Sequence, residues 1–319
     1  MQKINSFVFK DATRLIKNIE LVTDYIYDNF PDVVQLKIIR TIEGEPFHFD
    51  VETKSYWRMY TFINDGIGYD IITDKKQFYE LGSAFGDFQK MLNDFPIENL
   101  HETIPNFHNT KYRFDHFLKN IQLNKANRVN LVKEEINFLL EREHYASIIV
   151  DLLDKGIIPL RVTHNDTKLN NVLINTKTAR AVAVIDLDTV MPGSILYDYG
   201  DAIRYGANNA LEDEPDLRKV SLSLELFTSF TKSFIKETAS ILTASEVENL
   251  VNGVLVITFE LAMRFLEDYI NGDEYFKTKY KDHNLVGART QITLLKDMET
   301  KVDEMNKIVY KYYERYKIR

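Results

Sequence analysis

Cysteine is absent from the 319 residues, which removes disulfides, thiolate nucleophiles and Cys-ligated zinc from the chemistry open to this chain. A reducing compartment fits that absence. Seven prolines and twelve glycines lie scattered, so no Pro- or Gly-rich linker divides the chain, and no repeat, heptad run or low-complexity tract is present. Met1–Lys10 lacks the apolar stretch of roughly 7 to 15 residues that marks a secretory signal. The most apolar windows, Ile148–Leu153 and Val254–Phe259, fall far short of the roughly 20 residues that cross a bilayer. Positive charge is also short: 40 Lys and Arg stand against 48 Asp and Glu, a net charge of −8. That balance excludes a broad electrostatic grip on nucleic acid or anionic membrane but leaves room for a local basic pocket. The expectation is a soluble cytoplasmic protein with small-molecule partners, no nucleic acid and no membrane.

With 45% hydrophobic and 28% charged residues, the chain can bury one large core or two smaller ones. From Asp11 to Asn29, Leu15, Ile16, Ile19, Leu21, Val22, Tyr25 and Ile26 recur at steps of three and four, which predicts a helix. Three short antiparallel strands are expected next, over Val33–Ile42, Pro46–Val51 and Tyr56–Ile63, with a turn at Asn64–Gly66. Phe78, Leu81, Phe85, Phe88 and Leu92 then share a helical face, with Thr73 and Asp74 as caps and Pro96 as the stop. Arg128–Leu153 is expected to be helical. Val172–Ile174 and Ala181–Ile185 form a strand pair, and helical spacing resumes from Leu222 to the C-terminus. Gly66-Ile67-Gly68 lacks a third glycine and is expected to be a tight turn rather than a phosphate loop.

The chemistry concentrates in HNDTKLNN, His164–Asn171, followed by IDLD at Ile185–Asp188. Asn171 lies five positions after Asp166, and Asp186 fifteen positions after Asn171. Phosphoryl transfer needs a carboxylate to receive the acceptor hydroxyl's proton and hard oxygen ligands to hold Mg²⁺ against phosphates. A loop bearing Asp166 and Asn171, with a hairpin returning Asp186, supplies those groups. A polar turn capped by Asp and Asn would explain either half alone, but not both halves in order. The histidines lack zinc spacing, and there is no nucleophile elbow and no Rossmann fingerprint.

These residues resemble the aminoglycoside phosphotransferase and choline kinase family, which has a protein-kinase-like fold. The stretches VTHNDTKLNNVLIN and AVIDLDTVMPGSILYDYGDAIRYGAN, within Val162–Asn208, are most similar to its N-acetylhexosamine 1-kinase branch, as are IPNFHNTKYRF at Ile104–Phe114 and ELAMRFLEDY at Glu260–Tyr269. The resemblance implies that Asp166 is the catalytic base and that Asn171 and Asp186 ligate Mg²⁺. It implies that His164 braces the loop and that Asp188 assists a second metal or the sugar. Asp198 and Asp201 would stabilise the loop and the helix after it. Arg264 and Tyr275, with His108 and Arg113, would meet the sugar, although Arg264 could instead pair with Asp268 at i+4. For ATP, the co-substrate, the resemblance implies a basic strand residue paired to a helix Glu: Lys3 with Glu20, unless Lys3 is merely a solvated terminal lysine. The adenine would lie along Arg58–Ile63, read by backbone groups such as those of Met59 and Thr61.

The implied architecture is α+β and two-lobed, with a reduced N-terminal strand lobe at 1–65 and a mainly helical C-terminal lobe at 66–319. The implied reaction moves the γ-phosphate of ATP to a sugar hydroxyl, foremost the anomeric 1-hydroxyl of N-acetylglucosamine or N-acetylgalactosamine. Aminoglycoside, choline or homoserine acceptors are the alternatives. Two strands and a phosphate-covering loop ahead of Lys3 need about 12 to 15 residues, and only Met1 and Gln2 precede it. A chain of this extent is therefore expected to bind ATP weakly, or to be a catalytically impaired kinase-like binding protein.

Overall fold

A computed structural model describes residues 1–69, 71–72 and 74–317. The chain begins with β1 (Gln2–Lys3) and α1 (Ala12–Asn29), followed by β2 (His48–Asp50), β3 (Ser55–Arg58) and β4 (Gly66–Ile67). Helices α2 (Lys75–Met91), α3 (Thr110–Leu123), α4 (Lys133–Leu140) and α5 (Ile148–Asp154) come next. Four short strands then carry the polar motifs: β5 (Arg161–Thr163), β6 (Val172–Asn175), β7 (Ala181–Val184) and β8 (Met191–Gly193). The rest is helical: α6 (Ile195–Gly206), α7 (Leu224–Thr238), α8 (Ala244–Asn271), α9 (His283–Glu299) and α10 (Val302–Tyr316). Small sheets at the N-terminal side and a helical C-terminal part make this an α+β, protein-kinase-like fold.

Helix α1 starts where expected because the Asp11 side chain accepts from the Arg14 amide at 3.0 Å, a cap worth about 1 kcal/mol. Its stripe of Leu15, Ile16, Ile19, Val22 and Ile26 is fully buried. The stripe packs into a smaller core that also takes Phe88 and Leu92 from α2 and Leu187 and Val190 from the chain after β7. That core therefore extends well past residue 65. The other face of α2, with Phe78, Leu81 and Phe85, enters the larger core around α6, α7 and α8. Asp74 caps α2 as expected, accepting from Gln77 at 3.3 Å and from the Lys76 amide; Thr73 lies outside the described residues.

Three local expectations are corrected. Val33–Ile42 forms no strand: Ile38 makes one isolated bridge, to Tyr60 beyond the end of β3. Val33, Val34, Ile39 and Ile42 stay exposed, so their β-branched shape has no pleated neighbour to pack on. Gly66-Ile67 is a strand, with Gly66 opposite Asn175 and Ile67 opposite Ile174. Arg128–Leu153 breaks into α4, α5 and single 3₁₀ turns at Val129–Leu131 and Glu143–Ala146, as the segment bends to lay Tyr145 against Phe259 of α8.

Helix α8 begins with a capping box between Thr243 and Glu246 and ends at Gly272, whose φ is 105°. It is long and apolar enough to span a bilayer, but 83% of its apolar window is buried inside the protein, which makes it the axle of the core. Helix α6 crosses it where Gly200 meets Gly253: a Cβ on Gly200 would sit 2.4 Å from the Gly253 carbonyl, and one on Gly253 2.3 Å from the Leu196 carbonyl. This backbone-to-backbone crossing sets α6, which holds the Asp166 loop, against α8, which carries Arg264.

Candidate active site

The Asp166 loop joins β5 to β6 and is braced from below. Asp198, fully buried in α6, accepts the backbone amides of His164 at 2.8 Å and Asn165 at 2.7 Å, and Gln89 donates to it at 2.7 Å. Burial pushes its carboxyl above the usual range, while His164 and the amides pull it back. Asp198 thus tethers the loop rather than capping its own helix. Ser194 provides the cap, accepting from Leu196. His164 is buried between Phe85 and Phe88, with Nε2 2.9 Å from the Ile185 carbonyl and Nδ1 accepting the Asp166 amide at 3.3 Å. It ties the Asp166 loop to the strand that delivers Asp186.

Asp166 is half-buried, and both carboxylate oxygens are engaged. Lys168 Nζ lies 2.9 Å from Oδ1, and Asn171 Nδ2 donates to Oδ2 at 2.9 Å and to the Asp166 carbonyl at 2.7 Å. Burial would lower the Lys168 pKa, but Asp166 and Glu212 outweigh it and keep the ammonium charged. Because the Asn171 amide nitrogen is used, its carbonyl Oδ1 is the end left for a cation. Asp186 sits beside it, since the Ile185 amide donates to the Asn171 carbonyl at 2.8 Å. Asp186 adopts a left-handed backbone (φ 59°) and is exposed; among the described residues no hydrogen bond or ion pair engages its carboxylate. No group of three or more His, Asp or Glu side chains that could hold a metal occurs among the described residues. One carboxylate and one amide oxygen suit Mg²⁺, which fills its octahedron with phosphate oxygens and water.

A cleft of about 730 Å³ joins Asp166 and Lys168 to Arg264, Tyr275 and His108. Arg264 is buried and lies over the rings of Phe107, Tyr275 and Phe276 at 5.5–5.7 Å. Its ion partner is Glu260 at 3.6 Å, not Asp268. Glu260 is also bound by His108 Nδ1 at 3.0 Å; burial would raise its pKa, but His108, Arg264 and Arg113 hold it low. Asp268 instead organises the loop after α8, accepting the amides of Glu274, Tyr275 and Phe276 at 2.8–2.9 Å. Arg113 is lowered by burial and by repulsion from Arg264, and its guanidinium donates to the Phe107 carbonyl at 3.0–3.1 Å. Burial would raise the Asp201 carboxyl, but Arg204 and Lys168 hold it low.

On the nucleotide side the structure departs from expectation. Lys3 is exposed on β1 opposite Trp57, Glu20 is paired with Arg40, and no Lys3–Glu20 ion pair is present among the described residues. The Met59 carbonyl accepts from Ile39 at 2.8 Å and the Thr61 amide donates to Lys37 at 2.9 Å. Both groups are therefore used in the Ile38–Tyr60 bridge, and in such a bridge the Tyr60 amide and carbonyl point the other way. Asp188 turns inward to pair with the buried Arg58 of β3.

Residues 32–223, more than half of the chain, match the phosphotransferase enzyme family. The chain belongs to that family. Among solved structures, this phosphotransferase is similar to a microcompartment-associated aminopropanol kinase, at 14% identity over 91% of this chain and 83% of the other, with a TM-score of 0.57. It is similar to a Plasmodium vivax ethanolamine kinase at 14% identity, over 93% and 74%, with a TM-score of 0.52. It is also similar to an amicoumacin kinase in complex with AMP-PNP and Ca²⁺, at 13% identity over 89% and 78%, with a TM-score of 0.52. These likenesses establish the fold as that of small-molecule kinases.

Sequence reasoning missed several residues of this phosphotransferase. Lys168 stood within the HNDTKLNN motif and could have been found as the only cation between Asp166 and Asn171. Arg58 carried no local signal, because its partner Asp188 lies more than a hundred positions away in the chain; Glu260 was visible only through its i+4 spacing to Arg264, since its other partner His108 is equally remote.

Proposed function

We propose that this phosphotransferase transfers the γ-phosphate of ATP to a sugar hydroxyl, foremost the anomeric 1-hydroxyl of an N-acetylhexosamine. The observation that carries this reading is the cleft linking Asp166 to a buried arginine ringed by three aromatic side chains. Aromatic faces pack against sugar C–H surfaces, and a guanidinium donates to hydroxyl or amide oxygens. Asp166 receives the proton of the acceptor hydroxyl as its oxygen bonds to the γ-phosphorus; the bond from that phosphorus to the bridging oxygen breaks and ADP leaves. Lys168 and Asn171 orient the Asp166 carboxylate. Asn171 and Asp186 would hold Mg²⁺, which neutralises phosphate charge when bound. Arg264, Tyr275 and His108 form the acceptor wall, Arg113 stands behind it holding the Phe107 carbonyl, and the protein is taken as cytoplasmic.

A cationic amino alcohol is the second reading, because two similar structures are named aminopropanol and ethanolamine kinases. At the Arg264 end of the cleft the guanidiniums of Arg264 and Arg113 lie by Glu260, so an ammonium placed there would meet like charge, although Asp201, Glu212 and Asp213 line the same cleft and could take one. The sugar reading is preferred for the aromatic ring around Arg264. The experiment is an Mg²⁺-dependent ATP-consumption screen over N-acetylhexosamines, amino alcohols and aminoglycosides, followed by phosphorus NMR of the product. An anomeric phosphate is expected. A 6-phosphate, or preference for an amino alcohol, would overturn the sugar 1-kinase reading.

A further inference from the structure

Among the described residues no hydrogen bond or ion pair engages the Asp186 carboxylate, so its position is set by its neighbours in the chain. On one side, Ile185 is fixed by Asn171 and His164. On the other, Leu187 and Val190 are buried in the smaller core, the Thr189 hydroxyl donates to the His164 carbonyl at 2.6 Å, and Asn18 of α1 donates to the Val190 carbonyl at 2.9 Å. Asp188 is the one charged anchor, paired with Arg58. Arg58 is 6% exposed. It is itself held by Gln2 of β1, whose Oε1 accepts from Nε at 3.4 Å and Nη2 at 3.2 Å, and it lies 5.1 Å from the Tyr60 ring.

Stability alone does not account for this pair. A buried ion pair repays its desolvation only when the remaining donors and acceptors are satisfied. Among the described residues, Arg58 Nη1 and the Tyr60 hydroxyl are buried without a hydrogen-bond partner, and Asp188 Oδ1 has the Arg58 ion pair but no hydrogen bond. An apolar pair of similar volume would fold at least as well, and under-satisfied buried polar groups persist where they serve something other than stability.

We propose that Arg58 is a positioning residue for cation binding: by holding Asp188, it ties the β1–β3 sheet to the loop that presents Asp186, and so sets the Asp186 carboxylate in register with Asn171. Asp188 then serves as an anchor rather than a ligand. The inference rests on the proposed role of Asn171 and Asp186, and the experiment separates the two. Mn²⁺ binding is titrated by electron paramagnetic resonance in the presence of AMP-PNP, with thermal melting as the folding control. The variants are Arg58→Lys, Arg58→Met, the double Arg58→Met with Asp188→Leu, and Asp186→Ala.

Asp186→Ala tests the ligand itself and should abolish the tight Mn²⁺ signal. Arg58→Met leaves Asp188 buried and uncompensated, so it can fail to fold; the double variant removes both charges and keeps the packing. The double variant is expected to melt within a few degrees of the parent yet bind Mn²⁺ about tenfold or more weakly, and Arg58→Lys should recover part of the loss. Unchanged Mn²⁺ affinity in a folded double variant would overturn the positioning role while leaving the ligand assignment intact. Unchanged affinity in Asp186→Ala would overturn the ligand assignment, and the inference with it.

Discussion

At Asp166, one oxygen faces an ammonium at 2.9 Å and the other an amide at 2.9 Å, so the carboxylate is aimed before any acceptor arrives. Asp166→Asn is expected to lower turnover by about 10²-fold or more with little change in nucleotide affinity, because the lost group acts on the acceptor hydroxyl. Steady-state kinetics at saturating substrates checks this; full turnover would remove Asp166 as the base. A second residue, remote from the site, controls stability. Asp87 on α2 faces Glu237 of α7, and burial first, then that like charge, raises its carboxyl to about 6. The folded state therefore binds this proton more tightly than the unfolded chain, so the stabilisation is full below the ordinary carboxylate pKa and is lost as pH rises through about 6. Because Asp87 is exposed on one side, the effect is discounted to about 1 kcal/mol. Asp87→Asn should raise the melting temperature at pH 8 and change it less at pH 5; a pH-independent difference would count against the pairing.

At the scale of elements, the α6–α8 crossing is the joint on which the acceptor side is mounted. Gly253→Ala would drive a methyl into the Leu196 carbonyl, which costs about 1–3 kcal/mol or more of overpacking. The expected outcome is a lower melting temperature together with a raised KM for the acceptor, since the two helices must separate; a variant with unchanged melting and KM would show that the crossing has slack. Helices were legible because their apolar stripes repeat within one turn, as in α1 and α2, and the gathering of Asp166, Asn171 and Asp186 was legible because they flank one hairpin. The Val33–Ile42 segment misled because β-branching records a preference for a pleated surface without revealing whether a neighbouring strand exists. The environment of Arg264 was half legible: its i+4 neighbour Asp268 was visible in the sequence, but helix geometry equally allows the i−4 partner Glu260, and Asp268 was already committed to three loop amides.

For the whole molecule, the proposed nucleotide and cation sites lie between the sheet, the Asp186 loop and the Asp166 loop, so ligands bound there should stabilise the fold by mass action. At a concentration 100 times Kd the gain is about 2.7 kcal/mol, and a melting scan with Mg·AMP-PNP should shift upward as one cooperative transition. No shift for the parent would argue against Mg·nucleotide binding, and a retained shift in Asp186→Ala would argue against that residue as a ligand. One transition is expected because α2 sends Phe78, Leu81 and Phe85 into the larger core and Phe88 and Leu92 into the smaller. A rod embedded in both cores cannot serve as a hinge between them. Swinging the sheet aside to admit ATP and discharge ADP would drag α2 out of one core or the other. If the sheet side holds the nucleotide as proposed, ATP would have to enter and ADP leave without that swing, with both cores kept closed around α2.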